Sequence, residues 1–392
     1  MLNTSFSSWP SFDNDEANAV KNVLLSNKVN YWTGEECRKF ENEFSIWAHS
    51  KYSIALSNGT VALDLALRAL DIGIGDEVIV TSRTFIASVS SIVNAGATPV
   101  FVDVDKNSQN ICPSLILPAI TKNTKGIMCV HLAGFPCEMD EIISIAKENN
   151  LRVIEDCSQA HGALYKGKSV GSIGDIGTWS FCQDKIMTTG GEGGMVTTNS
   201  KILWAKMWSY KDHGKSWEAI NKKTSSNKFR WIHNSFGTNW RMTEMQAAIG
   251  RLQLKKMEYW HFLRKANAKK ILDTCKKYPK LYRLPVVDKN VEHAWYKCYI
   301  FVRKKRNGVG WSRDQIIDEI VIRGVPCYVG SCSEVYLEKA FDNSGFRPKV
   351  RLKVAKELGE NSLMFLVHPS LTMGEIDKVC EVINEVSIQV QK

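Results

Sequence analysis

A single lysine, Lys185, stands between a short apolar stretch, Gly177-Thr178-Trp179-Ser180-Phe181, and a run holding Gly190, Gly191, Gly193 and Gly194. The first stretch has the β-branched and aromatic content of a buried strand, and the glycines suit tight turns into a second strand, Met195 to Thr198. Lys185 is thereby expected on a short connection at a strand end, where ligand chemistry in open parallel sheets gathers. A lysine there, if partly desolvated, loses its proton and attacks a carbonyl. A solvated surface lysine has the same local sequence, so its companions decide.

Three other stretches supply companions. Ser57-Asn58-Gly59-Thr60 runs straight into the helical pattern VALDLALRAL. A helix start exposes unpaired N–H groups and the positive end of the dipole, Gly59 admits a ligand close to the backbone, and Thr60 adds a hydroxyl. A phosphate could be held there, with Ser180 offering a second hydroxyl, although an ordinary N-cap uses the same residues. Val153 to Gly162 is an apolar strand ending in two acids. A carboxylate in a crevice is costly to bury unless it meets a cation, and a protonated pyridine nitrogen is one such partner for Asp156. A loop acid that caps a helix or faces water is the alternative. Gln159 could donate to a ring hydroxyl or bond to backbone, and His161 suits a structural or a substrate-contacting role. Phe85, at the next helix start, could stack on a flat ring or fill core. Gly237 to Met242 reads as a turn into a helix, enriched in polar and aromatic residues.

These stretches need strands and helices in alternation, and the sequence supplies them. Strand-like Ser53–Leu56, Glu77–Thr81, Pro99–Val104, Gly126–His131 and Arg152–Glu155 alternate with helical Val61–Leu70, Phe85–Ala95 and Met139–Asn149. That order predicts an α/β protein with a mostly parallel sheet flanked by helices. Helical Lys201–Tyr210 and Met242–Arg264 follow, then strands Tyr296–Val302, Pro326–Val329 and Leu363–His368, a helix Ser312–Arg323 and a closing helix from Gly374. Thr372 and Glu375 fit a capping box. We therefore expect a large unit over residues 1–255, including an N-terminal arm, and a smaller α/β unit over 256–392.

Composition narrows the class. At 44% hydrophobic and 23% charged, the chain is that of a soluble globular protein. No apolar run approaches the roughly 20 residues needed to cross a bilayer, and the first residues lack a signal-peptide pattern, so the cytoplasm is expected and no membrane partner. The eleven cysteines form no CxxC pair and read as small core hydrophobes, with no disulfide framework and no metal site. The net charge of +10 is spread along the chain, its densest groups (222–228 and 303–306) reading as solvated loops. Without a nucleic-acid module, the expected partner is an anionic small molecule and not a nucleic acid.

Taken together, SNGT, EDCSQAHGA, SFCQDKIMTTGGEGG and GTNWRMTEMQAA resemble, in order, the motifs of the DegT/StrS family of pyridoxal-phosphate sugar aminotransferases. The resemblance covers nearly the whole chain and implies a fold-type I enzyme with pyridoxal 5'-phosphate as cofactor. It implies that Lys185 carries the cofactor and moves protons, that Asp156 binds the pyridine nitrogen, and that Gln159 binds the ring hydroxyl. Gly59, Thr60 and Ser180 would hold the phosphate and Phe85 would stack on the ring. Asn239 would reach the phosphate of the neighbouring subunit, which implies a homodimer with shared sites. A lysine at 185 argues against the family branch that has histidine there and removes a sugar hydroxyl. NYWTG, VHLAGFPCEMD, SFCQDK and KDHGKS lean toward lipopolysaccharide sugar synthesis, with an 8-oxidised octulosonate as acceptor and L-glutamate as donor; a nucleotide-linked keto sugar is the alternative acceptor. Candidates for the substrate's negative charge are His161, Arg241, Arg230 and Lys215, any of the last three equally able to be a solvated charge. A lyase or dehydratase, or a regulator that only binds the cofactor, are the alternatives of other kinds.

Overall fold

The computed structural model describes residues 6–222, 229–303 and 311–391; most of the two basic groups expected as solvated loops, at 223–228 and 304–306, lies outside the described residues. In chain order the strands are β1 (Tyr52–Leu56), β2 (Glu77–Thr81), β3 (Thr98–Val102), β4 (Thr124–Val130), β5 (Arg152–Asp156), β6 (Leu164–Tyr165), β7 (Lys168–Ser169), β8 (Ile176–Ser180), β9 (Gly194–Thr198), β10 (Tyr282–Arg283), β11 (Val291–Glu292), β12 (Cys298–Val302), β13 (Cys327–Tyr328) and β14 (Ser362–Phe365). The helices are α1 (Asn14–Leu25), α2 (Glu36–Trp47), α3 (Gly59–Ala69), α4 (Ala87–Asn94), α5 (Met139–Glu148), α6 (Lys201–Lys211), α7 (Trp217–Asn221), α8 (Glu244–Cys275), α9 (Arg313–Ile322), α10 (Lys353–Asn361) and α11 (Met373–Gln391).

Seven strands form the main sheet in the order β1-β9-β8-β5-β4-β2-β3. The pairs from β3 across to β8 are parallel, and β9 alone runs against its neighbours. Both faces are covered, as the period of two in a strand requires. Val78, Val80, Met128 and Ile154 enter a core with α3 and α4, whereas Ile79, Ile127, Cys129 and Val153 enter a separate core with α5. Such two-sided burial explains why these strands read as continuous apolar runs.

A second, antiparallel sheet, β10-β12-β14-β13, packs with α9 and α11 in its own core. The long helix α8 has 32 residues and joins the two. Its first part buries Ala247, Met257 and Trp260 in the main core, and its last turns bury Ala268, Ile271 and Cys275 in the second. The helix expected to end near Arg264 therefore continues, because its later apolar face has a sheet to cover. Residue 255, the expected boundary between units, falls inside α8. The capping box at Thr372 and Glu375 is present in reciprocal hydrogen bonds. Among the described residues no helix is long and apolar enough to cross a membrane.

Candidate active site

The carboxyl ends of β5 and β8, the start of α3 and the turn before α4 converge on one cavity of about 790 Å³. Strand order places it there. β8 and β5 are neighbours, and both end where the chain leaves the sheet toward the helices, the usual ligand crevice of a parallel sheet.

At the start of α3, Asn58 takes the capping role, its side chain accepting from Val61 N at 3.0 Å. The cap being filled, Gly59 and Thr60 are left facing the cavity. Ser180 closes against them: a Cβ placed on Gly59 would lie 2.5 Å from the Ser180 Cβ. Only glycine permits this approach of helix start to strand end, and the result is a cradle of free N–H groups and two hydroxyls.

Alternation along β5 separates the two acids the sequence left side by side. Glu155 is fully buried and saturated, accepting from the N–H groups of Gly171, Ile173 and Gly174 at 2.9, 2.9 and 2.6 Å and meeting His131 Nε2 at 3.1 Å. Asp156 lines the cavity, one oxygen accepting from Ser88 Oγ at 2.8 Å and the other from Ser158 N at 3.1 Å. His131, Glu155 and Cys157 lie close enough to suggest a metal. Yet His131 Nδ1 accepts from Cys137 N at 3.0 Å, so Nε2 carries the proton and donates to Glu155, which leaves the ring no lone pair for an ion. We read this trio as a hydrogen-bonded brace for β5.

Gln159 also lines the cavity, its carbonyl oxygen accepting from Ala133 N at 2.8 Å. This bond orients the amide so that its NH₂ remains to donate. Phe85 is 66% exposed on the cavity wall, so it does not fill core. Lys185 has a side chain 15% exposed, with Nζ 4.0 Å from Asp184 Oδ1. Asp184 in turn accepts from the Tyr296 hydroxyl. Burial works against the Asp184 carboxylate, but Lys185, Tyr296 and Lys297 together hold it below the usual range. Above the lysine, Trp9 of the N-terminal arm donates to the Lys185 carbonyl at 2.7 Å.

The four candidates for substrate charge are not brought to this cavity wall. His161 is fully buried, its ring 5.3 Å from that of Trp179 and 5.6 Å from that of Phe181. Burial, then the charge of Lys185, pushes its imidazole down to about 3, so it stays neutral. Arg241 and Lys215 both pair with the buried carboxylate of Asp212, at 2.7 and 2.9 Å, and a buried carboxylate without them would be costly. Arg230 is half-buried on the segment that leads to α8. Asn239 is exposed on that segment and does not line the cavity. Conversely, Tyr296, Lys297, Tyr299, Ser88 and Cys332 line the cavity although the sequence did not single them out. One signal was available for Lys297, which interrupts the apolar run Ala294-Trp295-Tyr296 and Cys298-Tyr299-Ile300.

The parallel sheet, the strand-end lysine and the phosphate-sized cradle define a fold-type I pyridoxal-phosphate-dependent aminotransferase. The chain belongs to the DegT/DnrJ/EryC1/StrS aminotransferase family, which matches residues 10–384. It is 38% identical over 383 residues to GDP-perosamine synthase of Escherichia coli O157:H7, covering 96% of each chain. It is 34% identical over 354 residues to dTDP-3-amino-3,6-dideoxy-alpha-D-galactopyranose transaminase of Aneurinibacillus thermoaerophilus, covering 90% of this chain and 91% of that one. The X-ray structure of the aminotransferase from Psychrobacter cryohalolentis superposes with a TM-score of 0.96 at 61% identity, over 99% of this chain and 100% of that chain. Enzymes of this family use pyridoxal 5'-phosphate. The cavity fits that group: a helix-start cradle that a Cβ would fill, an acid held by two donors, and an oriented amide.

Proposed function

We propose that this chain transfers the amino group of L-glutamate to the keto carbon of a nucleotide-linked deoxysugar. The observation that carries the reading is the meeting of Lys185, Asp156, Gln159 and the α3 cradle in one cavity. When bound, pyridoxal phosphate supplies an electron sink that lets a proton leave and rejoin the carbon bearing the amine. In this reading Gly59, Thr60 and Ser180 hold the phosphate, Phe85 covers the ring, and the NH₂ of Gln159 donates to the ring hydroxyl. Asp156 keeps a proton on the pyridine nitrogen, Ser88 and Ser158 fixing its two oxygens for the task. Lys185 anchors the cofactor and, once released, its amine takes the proton from the donor's α-carbon and later delivers one to the sugar carbon.

Two features of the comparisons favour a nucleotide-linked acceptor. Several relatives similar over nearly the full length are named for GDP-linked and dTDP-linked sugars. The acidic octulosonate suggested by short motifs finds no such support among them, so the nucleotide-sugar alternative becomes the leading one. We further propose a homodimer in which Asn239 reaches the partner's site. Its support is the segment from 229 to 241, where Phe229, Trp231 and Phe236 are exposed by 78%, 86% and 97%, an apolar patch that a second copy would cover.

The test uses glutamate labelled with ¹⁵N and a panel of GDP-, dTDP- and UDP-linked keto sugars beside the oxidised octulosonate. Mass spectrometry of the sugars should find the label in one of the nucleotide-linked set. Label in the octulosonate alone would overturn this choice of acceptor, and label in none would overturn amino transfer from glutamate to these sugars.

A further inference from the structure

The cavity wall carries a cation that the roles above leave unused. Lys297 lies just before β12, and among the described residues its ammonium makes no hydrogen bond and no ion pair, only a contact with the Tyr296 ring at 4.8 Å. Lys185 sits against the same ring, 5.6 Å from its centroid. Arg264 of α8 is buried close by, bonded only to the carbonyls of Trp295 and Tyr296, with Nε and Nη2 unpaired among the described residues. Lys185 and Lys297 thus share one carboxylate, Asp184, which is already engaged by Tyr296 and Lys185, while Arg264 adds a third positive charge beside Lys297. A half-buried ammonium that shares its one carboxylate with a second ammonium and lies beside a buried guanidinium is costly, and an anion brought by a substrate would reduce that cost.

We propose that Lys297 receives the α-carboxylate of the amino donor and so aims the donor's α-carbon at the Lys185 amine. This rests on the amino-transfer reading above. The α-carboxylate is chosen over a sugar diphosphate because it is bonded to the very carbon whose proton Lys185 takes. Whatever binds it must stand near that amine, and Lys297 and Lys185 both lie against the Tyr296 ring on the wall of one cavity. A nucleotide's diphosphate is held away from the keto carbon by the sugar ring.

The same surroundings set a pH dependence. The groups facing Lys297 are Asp184 and Lys185 from the loop after β8, Arg264 from α8, the neighbouring Tyr296 and His368 after β14. Burial, then the charge of Arg264, pushes the free ammonium down to about 8. His368 is pushed down to about 3, burial first, and stays neutral. Above about pH 8 the free enzyme therefore loses the Lys297 charge, and the KM for the donor rises.

The experiment measures steady-state constants of the cofactor-loaded wild type, Lys297→Met and Lys297→Arg with L-glutamate and with its α-amide, between pH 6.5 and 9.5, adding GDP and dTDP as inhibitors. A hydrogen bond to a charged group is worth about 1.5–3 kcal/mol, so Lys297→Met should raise the glutamate KM about 10- to 100-fold with a smaller change in kcat. It should also narrow the preference for glutamate over the α-amide and remove the rise in KM at high pH. Lys297→Arg should recover most of the affinity, and inhibition by the nucleoside diphosphates should not change. An unchanged glutamate KM and α-amide preference in Lys297→Met, or loss of diphosphate inhibition in their place, would overturn the proposal. Should the Met variant fail to fold, a wild-type KM flat across pH 8 would do the same. If the wild type uses another amino acid, the donor reading fails, and the comparison with that donor's α-amide still decides the role of Lys297.

Discussion

Asp156 and Glu155 are neighbours in the chain with opposite duties, and the difference comes from the pleat of β5. Glu155 points to the loop at 171–174 and is tied by three N–H groups, so its charge serves the fold. Asp156 points to the cavity, held by two donors that leave its oxygens able to face a cation. Asp156→Asn should therefore still bind pyridoxal phosphate but slow proton removal from glutamate by about 10²–10³-fold, the usual cost of removing one preorganised electrostatic partner. Glu155→Gln should instead lower the melting temperature, with the rate per folded molecule little changed. Stopped-flow absorbance and thermal unfolding separate the two. A wild-type rate in Asp156→Asn would send the search for the pyridine partner elsewhere.

The approach of α3 to β8 is where an element's position decides binding. Asn58 caps the helix, so the proposed phosphate cradle is not also required to satisfy the helix end. The Gly59 N–H and the Ser180 hydroxyl share one side of the cavity only because no side chain separates them. Gly59→Ala would press its methyl on the Ser180 Cβ, both being backbone-anchored with little room to yield. We expect a loss of about 1–3 kcal/mol in stability from overpacking and a cofactor affinity weakened at least tenfold, measured by titration of the apoprotein. Normal cofactor affinity in Gly59→Ala would mean that the phosphate is held elsewhere.

At the scale of the whole molecule, two outcomes are expected. If Asn239 serves the partner's site, mixing Lys185→Ala with Asn239→Ala protein and letting subunits exchange should create dimers in which one site carries both lesions and the other neither. Activity should rise above that of the unmixed variants; no rise after verified exchange would place Asn239 in its own subunit's site or in none. The second outcome concerns acid. His161 and His368 are buried, and each is pushed down to about 3, burial being the leading cause, against an ordinary imidazole near 6.5. Between those values the unfolded chain binds more protons than the folded one, so stability rises with pH there and is lost as pH falls below about 6.5. Melting temperatures should drop from pH 7 to pH 5, with a shallower slope in His161→Gln. An equal slope in that variant would mean that His161 is already protonated in the fold.

Much of the site was legible because its parts are short and local. A lysine after a strand, an acid at a strand end and a small-residue turn into a helix each announce themselves within ten residues, and the alternation of strand and helix announces the parallel sheet that gathers them. Phe85 remained open between core and cavity, since a sequence shows that a ring is apolar but not which side of it is packed. Arg241 and Lys215 were candidates for substrate charge until Asp212 was seen to hold both. Ion pairing of this kind depends on distances between segments that the order of residues does not contain. Tyr296 and Lys297 were missed for the same reason: they lie more than a hundred residues beyond Lys185 and reach it only because α8 carries the chain back, setting the second sheet against the cavity. The sequence by itself determined the family, the strand-end places of Lys185 and Asp156 and the order of elements, all carried by local pattern. Which charges are free and which are paired was decided only by the tertiary structure, because electrostatics and burial act through space.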